Sequence, residues 1–181
     1  MSEKGTLYFF TGLAGAGKTT VGGLFYQRLK ARNPEAVLID GDVQRTAAGH
    51  SVPGVGVVQE DRYTTEARKA GAREMFQYCK GLTDQGKDVV VCSISMYREI
   101  RDWNRENIAH YREIYIKVTR ETLYRRDQKG LYSSGAKNVV GVDLPYDEPE
   151  RPDLVVENDG QETPETIVDR LETLFLEVRG K

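Results

Sequence analysis

The residues best suited to chemistry stand near the start of the chain, in the stretch GLAGAGKTT at 12–20. Its spacing fits G-x-x-x-x-G-K-S/T, and it lies between a strand-like run and a helix-like run, the context in which this pattern forms a phosphate-binding loop. Glycines let backbone N–H groups point at a polyphosphate, and the N-terminus of the next helix adds a favourable dipole. The stretch predicts binding of ATP or GTP; the alternative is a glycine-rich strand-to-helix turn without a ligand.

Two side chains of this loop have separate predicted tasks. Lys18 neutralises the β and γ phosphates during catalysis, and Thr19 supplies a hydroxyl to Mg²⁺, which prefers oxygen ligands. The residues predicted to hold the nucleotide are Gly12, Ala14, Gly15, Ala16, Gly17, Lys18, Thr19 and Thr20.

Acidic and basic residues follow the second strand-like run, in LIDGDVQR at 38–45. A carboxylate at a strand end can accept a proton from an attacking hydroxyl, and an arginine can clamp an anionic acceptor. We therefore predict Asp42 as the general base and Arg45 as a substrate clamp. The alternative is a turn in which Asp40 or Asp42 caps the next helix.

Hydroxyl groups follow the third strand-like run, in CSISMYREIRDWNR at 92–105. Ser93 and Ser95 could bind an acceptor at this edge, and Tyr97 and Arg98 are further candidates. Ser95 could equally be the N-cap of the following helix.

A basic cluster follows the fourth strand-like run and consists of Arg120, Arg125, Arg126 and Lys129. Such clusters are usually solvated helix faces. The flexible residues that follow favour instead a basic lid over about 120–145, because phosphoryl transfer requires that water is excluded and negative charge neutralised. Arg126 is assigned to the nucleotide-binding set.

The elements that must position these residues alternate along the chain. The apolar runs are continuous, which is typical of strands covered on both faces of a parallel sheet. We predict an α/β fold, a three-layer P-loop NTPase/kinase fold with a mostly parallel five-stranded sheet, in one domain over 1–181. The predicted strands are 7–12, 36–42, 88–95, 112–119 and 153–158, and the predicted helices are 18–32, 61–86, 98–110 and 163–178.

Composition excludes several classes of protein. The chain is 39% hydrophobic and 30% charged, with 26 basic against 28 acidic residues, so there is no general basic field for nucleic acid. No run approaches the length of a membrane span, which makes a cytoplasmic location the default expectation. Cys79 and Cys92 lack CxxC spacing and read as reduced structural thiols, with a disulfide or zinc site as the alternative.

A phosphate loop leaves open whether the phosphoryl group goes to water, to a protein or to a small molecule. The sequence lacks the N-K-x-D guanine signature and a long insertion of the motor or helicase kind. These features favour a small-molecule kinase that uses ATP.

Several motifs together resemble the adenylylsulfate kinase family. They are GLAGAGKTT, DGDVQR, the DR pair at 61–62, ISMYR at 94–98, RDQKGLY at 126–132 and GVDLPYDEP at 141–149. The resemblance implies transfer of the γ-phosphate of ATP to the 3′-hydroxyl of adenylylsulfate with Mg²⁺, and a possible homodimer.

The resemblance also implies roles for individual residues. Asp42 corresponds to the acid near the attacking hydroxyl. The implied acceptor-binding or lid residues are Arg45, Arg62, Thr65, Ser95, Lys129, Gly130, Leu131 and Val139.

This chain departs from the family pattern on the acceptor side. Val57 and Val139 stand where aromatic residues would sandwich the adenine, and Thr65 stands where an asparagine is expected. Base stacking on an aromatic ring is worth about 1–3 kcal/mol. Three hypotheses follow: an adenylylsulfate kinase, a kinase of another nucleotide acceptor such as cytidine diphosphoramidate in capsule biosynthesis, and a nucleotide-binding module without catalysis.

Overall fold

The computed structural model describes residues 3–41, 64–127, 130, 132–135 and 139–177. Several predicted site residues lie outside this part of the chain, and their assignments stay predictions: Asp42, Arg45, Val57, Arg62, Lys129 and Leu131. The single domain over 1–181 also stays a prediction.

Five parallel strands form one sheet: β1 Thr6–Thr11, β2 Val37–Asp40, β3 Val89–Cys92, β4 His110–Lys117 and β5 Leu154–Glu157. Their order across the sheet is β2-β3-β1-β4-β5, so β3 lies between β2 and the strand that leads into the phosphate loop. Each strand begins within two residues of its predicted start.

Helices cover both faces of the sheet, which confirms the three-layer α/β fold. The helices are α1 Lys18–Arg32, α2 Thr65–Asp84, α3 Arg98–Asn107, α4 Arg120–Arg126 and α5 Pro164–Phe175. On β1, Tyr8 and Phe10 pack on the side of α1 and α5, whereas Leu7 and Phe9 pack on the side of α2 and α3. Both sets are buried, and this explains why the apolar run of this strand is continuous rather than alternating.

Apart from α1, the predicted helices differ from the observed ones. The helix predicted over 61–86 spans Thr65–Asp84, and Thr64 is its N-cap. The helix predicted over 98–110 ends at Asn107, because His110 already pairs with Thr6 as the first residue of β4. The helix α4 was not predicted as an element; only Thr122 and Leu123 of it are buried, so it has no apolar periodicity. The helix predicted over 163–178 is observed as α5, where Thr163 is the N-cap and its hydroxyl accepts a hydrogen bond from the Thr166 amide.

Both cysteines are buried thiols that form no disulfide bond. Burial raises the pKa of the Cys79 thiol to about 12, which makes this thiol unreactive near neutral pH. Among the described residues, no helix combines the length and the apolar character that crossing a membrane requires.

Candidate active site

The phosphate loop connects the end of β1 with the first turn of α1. Gly17 directly precedes the helix with φ of 102°, a left-handed conformation that favours glycine. A Cβ atom there would lie 2.5 Å from Nδ2 of Asn158, so the Asn158 side chain would have to move away. Lys18 is buried, and its ammonium group donates a 2.9 Å hydrogen bond to the carbonyl of Leu13 within the loop.

The hydroxyl of Thr19 donates a 2.7 Å hydrogen bond to Oδ2 of Asp40, the last residue of β2. Asp40 is buried with 6% of its surface exposed. The sequence interpretation placed Asp40 and Asp42 at this strand end but favoured Asp42 for the chemistry, so it did not identify Asp40 as the partner of the phosphate loop. The missing information was the strand order, which decides that β2 lies within reach of α1.

A close helix-to-strand approach makes the Thr19 contact possible. The first turns of α1 pass over β3: the thiol of Cys92 donates to the carbonyl of Lys18 at 3.5 Å. A Cβ atom at Gly22 would lie only 2.3 Å from that sulfur atom. The absent side chain at Gly22 therefore lets α1 approach the sheet closely enough for Thr19 to reach β2.

The ends of β1, β2 and β3 are joined at the same edge of the sheet. The hydroxyl of Thr11 donates to the carbonyl of Ile94 at 2.5 Å, and the Gly41 amide donates to the Cys92 carbonyl at 3.0 Å. The hydroxyls of Ser93 and Ser95 lie 2.7 Å apart. Two predicted acceptor hydroxyls therefore form one pair, next to the strand ends that carry the phosphate loop and Asp40.

Ser95 adopts a φ of 33°, which is uncommon for a residue other than glycine. It is not the N-cap of α3, so that alternative is wrong. The cap position is Tyr97, and the carboxylate of Asp147, far away in the chain, accepts a 2.9 Å hydrogen bond from the Arg98 amide. Ser95 therefore lies in the tight turn before the helix, where its hydroxyl pairs with Ser93.

A buried ionic cluster holds the segment that contains Asp147. Arg101 of α3 donates to the carbonyls of Asp147 at 2.9 Å and Glu148 at 3.2 Å, and its Nε lies 3.7 Å from Glu113. Arg105 donates to the same carboxylate at 2.9 Å. Desolvation raises the pKa of Glu113, and the two arginines oppose this effect. The cluster fixes the turn at 147–148 against α3 and thus against the loop that carries Ser95.

Three members of the predicted basic cluster lie on one short helix. Arg120, Arg125 and Arg126 belong to α4, and Arg126 is the member that contacts the phosphate loop. Its guanidinium donates to the carbonyl of Gly15 at 3.3 Å and to the carbonyl of Asn158 at 2.6 Å. Arg126 thus lies at the predicted nucleotide site, while the motion of a lid stays a prediction.

The remaining predicted acceptor residues lie in different elements. Thr65 is the first residue of α2, and Gly130 follows α4 with φ of 61°. Val139 is 6% exposed, and its carbonyl accepts the amides of residues 142–144 in a tight turn. Its burial leaves little side-chain surface for a base.

Sequence reasoning also missed Tyr132 and Asn158. The Tyr132 hydroxyl donates to the carbonyl of Ala14 at 2.5 Å, and Nδ2 of Asn158 donates to the carbonyl of Ala16 at 2.8 Å. The RDQKGLY motif contains Tyr132, so a signal was present for it, whereas nothing in the sequence singles out Asn158.

The oxygen groups near the loop suit a hard divalent cation. The Thr19 hydroxyl and the Asp40 carboxylate are oxygen donors, and Mg²⁺ usually takes only one or two protein oxygens beside waters and substrate phosphates. In the described part of the chain, no group of three or more His, Cys, Asp or Glu residues could hold a metal by itself. This donor set fits a metal that is bound jointly with a polyphosphate.

Comparison with known proteins identifies one family. The family model described as adenylylsulphate kinase matches residues 4–157. A cytidine diphosphoramidate kinase from Campylobacter jejuni is 40% identical over 162 residues, which cover 87% of this chain and 89% of the relative. An adenylyl-sulfate kinase from a Picosynechococcus species is 37% identical over 171 residues, which cover 92% of each.

A solved structure agrees with this similarity. The Mycobacterium tuberculosis APS kinase CysC, in complex with AMPPNP and APS, superposes with a TM-score of 0.77 at 26% identity. The superposition covers 94% of this chain and 97% of that one.

Proposed function

The chain belongs to the adenylylsulphate kinase family, and from this premise we propose that it transfers the γ-phosphate of ATP to the 3′-hydroxyl of adenylylsulfate. The contact between Thr19 and Asp40 is the observation that carries the proposal. It ties a phosphate loop to a buried carboxylate at the strand end, as phosphoryl transfer from a metal-bound nucleotide requires.

Thr19 and Asp40 are the residues that would hold Mg²⁺ beside the nucleotide phosphates. Their hydrogen bond orients the hydroxyl oxygen and places a negative charge behind it. When bound, the metal ion neutralises charge that develops on the phosphates.

The chain's own residues supply binding, positioning and proton transfer. Backbone amides of 12–19 and the ammonium group of Lys18 bind the phosphates. Asp42 accepts the proton of the acceptor hydroxyl, and Arg45, Arg62 and the pair Ser93–Ser95 bind the acceptor.

A second acceptor is favoured by one specific observation. The 40% identical relative is named a cytidine diphosphoramidate kinase. Val139, at a position where the family resemblance implies an aromatic residue, is 6% exposed and offers little surface for stacking a purine. Cytidine diphosphoramidate is therefore our second candidate, since a smaller base can be held by a different clamp.

An acceptor competition tests the two candidates. Purified protein is incubated with ATP, Mg²⁺ and equal concentrations of both acceptors, and the phosphorylated products are measured by mass spectrometry. We expect the 3′-phosphorylated product of adenylylsulfate to dominate. Turnover of only the cytidine compound replaces the first candidate by the second, and ATP binding without any turnover in a wide acceptor panel supports a non-catalytic module. The variant Lys18→Ala, expected to abolish ADP release, controls for contaminating kinases.

We further propose a homodimer, as the family resemblance implies, and a cytoplasmic location. Sedimentation velocity of the purified chain measures its oligomeric state, because a monomer of 20.4 kDa is clearly distinguished from a dimer. A sedimentation coefficient of the monomer at every concentration would contradict it.

A further inference from the structure

Four successive carbonyl groups of the phosphate loop accept side-chain hydrogen bonds. Within the loop, the Lys18 ammonium donates to Leu13. From outside it, the Tyr132 hydroxyl donates to Ala14 at 2.5 Å, Arg126 to Gly15 at 3.3 Å and Asn158 to Ala16 at 2.8 Å. Each carbonyl of residues 13–16 thus has its own donor, and three of these donors come from distant parts of the chain.

These hydrogen bonds restrict the directions in which the N–H groups of the loop point. The C=O and N–H bonds of a peptide unit point in opposite directions across a rigid plane. A donor that fixes a carbonyl therefore also fixes the amide on the other side of the same peptide. A phosphate loop binds by converging amides, so donors on its carbonyls keep these amides converged before the anion arrives.

Tyr132 is itself held in place. Its amide donates to the carboxylate of Asp127 at 3.0 Å, and its ring lies 5.4 Å from that of Tyr124. Burial raises the pKa of the Tyr132 phenol to about 12, so the hydroxyl stays protonated and remains a donor at neutral pH. The hydroxyl can therefore donate to the Ala14 carbonyl throughout the physiological pH range.

Asn158 is fixed at three points just after β5. Its backbone amide donates to the Lys117 carbonyl at 2.8 Å, its carbonyl accepts from Arg126, and its side chain donates to Ala16. The glycine at 17 provides the space for this side chain, because a Cβ atom there would lie 2.5 Å from Nδ2. The residue after the last paired strand is thereby tied to both the loop and α4.

We propose that Tyr132 and Asn158 are positioning residues for the triphosphate: they fix the Ala14 and Ala16 peptides so that the loop amides converge on the nucleotide. Neither side chain is required to touch the nucleotide. The proposal rests on the proposed use of ATP but is independent of the acceptor.

Binding without an acceptor tests the proposal. Calorimetry compares the affinity of Tyr132→Phe and wild type for a non-hydrolysable ATP analogue with Mg²⁺, and for inorganic tripolyphosphate. The loss of one hydrogen bond predicts about 2- to 10-fold weaker binding of both ligands. Tyr124→Phe is the matched control: it removes a hydroxyl but keeps the ring packed on Tyr132, and it is expected to bind like wild type. Weaker binding of the ATP analogue alone would overturn the proposal, since it would place Tyr132 at the base or sugar.

Asn158→Ala provides a second variant, with Asn107→Ala as its control. Asn107 donates to the Trp103 carbonyl at the end of α3, away from the phosphate loop. We expect Asn158→Ala to bind both ligands more weakly than wild type and Asn107→Ala to bind both like wild type. Thermal unfolding is followed in parallel, and equal nucleotide affinity in all folded variants would overturn the proposal.

Kinetics separate positioning from a merely structural role. Because loop geometry affects nucleotide binding, KM for ATP should rise about 2- to 10-fold in Tyr132→Phe while kcat at saturating ATP stays near that of wild type. A lower kcat with unchanged KM would contradict the proposal. If no acceptor is turned over, the proposed function fails, whereas the binding measurements still decide the role of Tyr132.

Discussion

Thr19 of α1 and Asp40 of β2 are joined by a 2.7 Å hydrogen bond, although β2 is not adjacent in the sheet to β1, the strand that leads into α1. The strand β3 lies between β2 and β1, so the helix must cross β3 closely for the contact to form. Two small residues allow this approach: Gly22 on the helix and Cys92 on the strand. The metal-side geometry of the site thus depends on the packing of α1.

Asp40→Asn should reduce the use of Mg²⁺ while keeping the fold. The amide oxygen can still accept the Thr19 hydroxyl, but the negative charge behind it is lost. Substituting a hydrogen-bond partner of a metal ligand typically lowers metal affinity or activity about 10- to 100-fold, and we expect a loss of this size in Asp40→Asn. The Mg²⁺ dependence of ADP release measures it. Asp84→Asn, at the exposed end of α2, is the control, and an unchanged Mg²⁺ dependence in Asp40→Asn would contradict the assignment.

Asp42→Ala should lower kcat by about 10²–10⁴ if Asp42 is the general base. Nucleotide binding should change little, because the base acts on the acceptor hydroxyl. Steady-state kinetics with calorimetry of the ATP analogue separates the two effects. Turnover near that of wild type would remove this role, as the transition state of phosphoryl transfer can be loose and depend little on a base.

The parts of the fold that the sequence predicts well are those with a local signal. The helix over 18–32 was predicted with its observed bounds, since the phosphate loop marks its start. The five strands were found because each contains an apolar run. The charged helix α4 was missed, since a short helix with two buried residues has no apolar period to detect.

The parts of the site that escaped prediction depend on contacts distant in the chain. The first turn of α3 is capped by Asp147, whose carboxylate accepts a hydrogen bond from the Arg98 amide 49 residues earlier in the chain. The donor to Ala16 comes from Asn158, 142 residues away. Local propensity contains no information on such pairs, because they follow from strand order and from the packing of loops at the sheet edge.

Gly22→Ala and Gly23→Ala should have opposite effects on stability. A Cβ atom at Gly22 would lie 2.3 Å from Cys92 Sγ, whereas one at Gly23 would meet no atom within 4 Å. Overpacking predicts a loss of about 1–3 kcal/mol for Gly22→Ala, and helix propensity predicts a gain of about 0.5–1 kcal/mol for Gly23→Ala. Urea unfolding measures both free energies. Equal changes would show that α1 does not approach β3 as closely as described.

Gly22→Ala should also weaken the use of Mg²⁺. Displacing α1 from β3 separates Thr19 from Asp40, so the folded variant should require more Mg²⁺ for half-maximal ADP release. Gly23→Ala, the control, should require the same Mg²⁺ concentration as wild type. A wild-type Mg²⁺ dependence in folded Gly22→Ala would show that the packing of α1 does not affect metal binding.

Arg101→Met should destabilise the protein, whereas Arg98→Met, one turn earlier on α3, should not. Arg101 is 2% exposed and lies 3.7 Å from the buried Glu113, which also accepts from Arg105. Its loss leaves Glu113 with one arginine fewer and removes the donors to two backbone carbonyls, at a cost of about 1–3 kcal/mol. The side chain of Arg98 is 65% exposed, and its ion pairs predict a change of about 0–1 kcal/mol. Urea unfolding compares the two variants.

The cost of Arg101→Met should also depend on pH. Arg101 lowers the pKa of Glu113 against the larger effect of desolvation, so it stabilises the ionised carboxylate. This stabilisation is present while Glu113 is ionised and is lost as pH falls through its pKa. The difference in unfolding free energy between wild type and Arg101→Met should therefore be larger at about pH 8 than at about pH 5. A difference that is constant, or that grows as the pH falls, would mean that Arg101 acts through its bonds to the carbonyls of Asp147 and Glu148 alone.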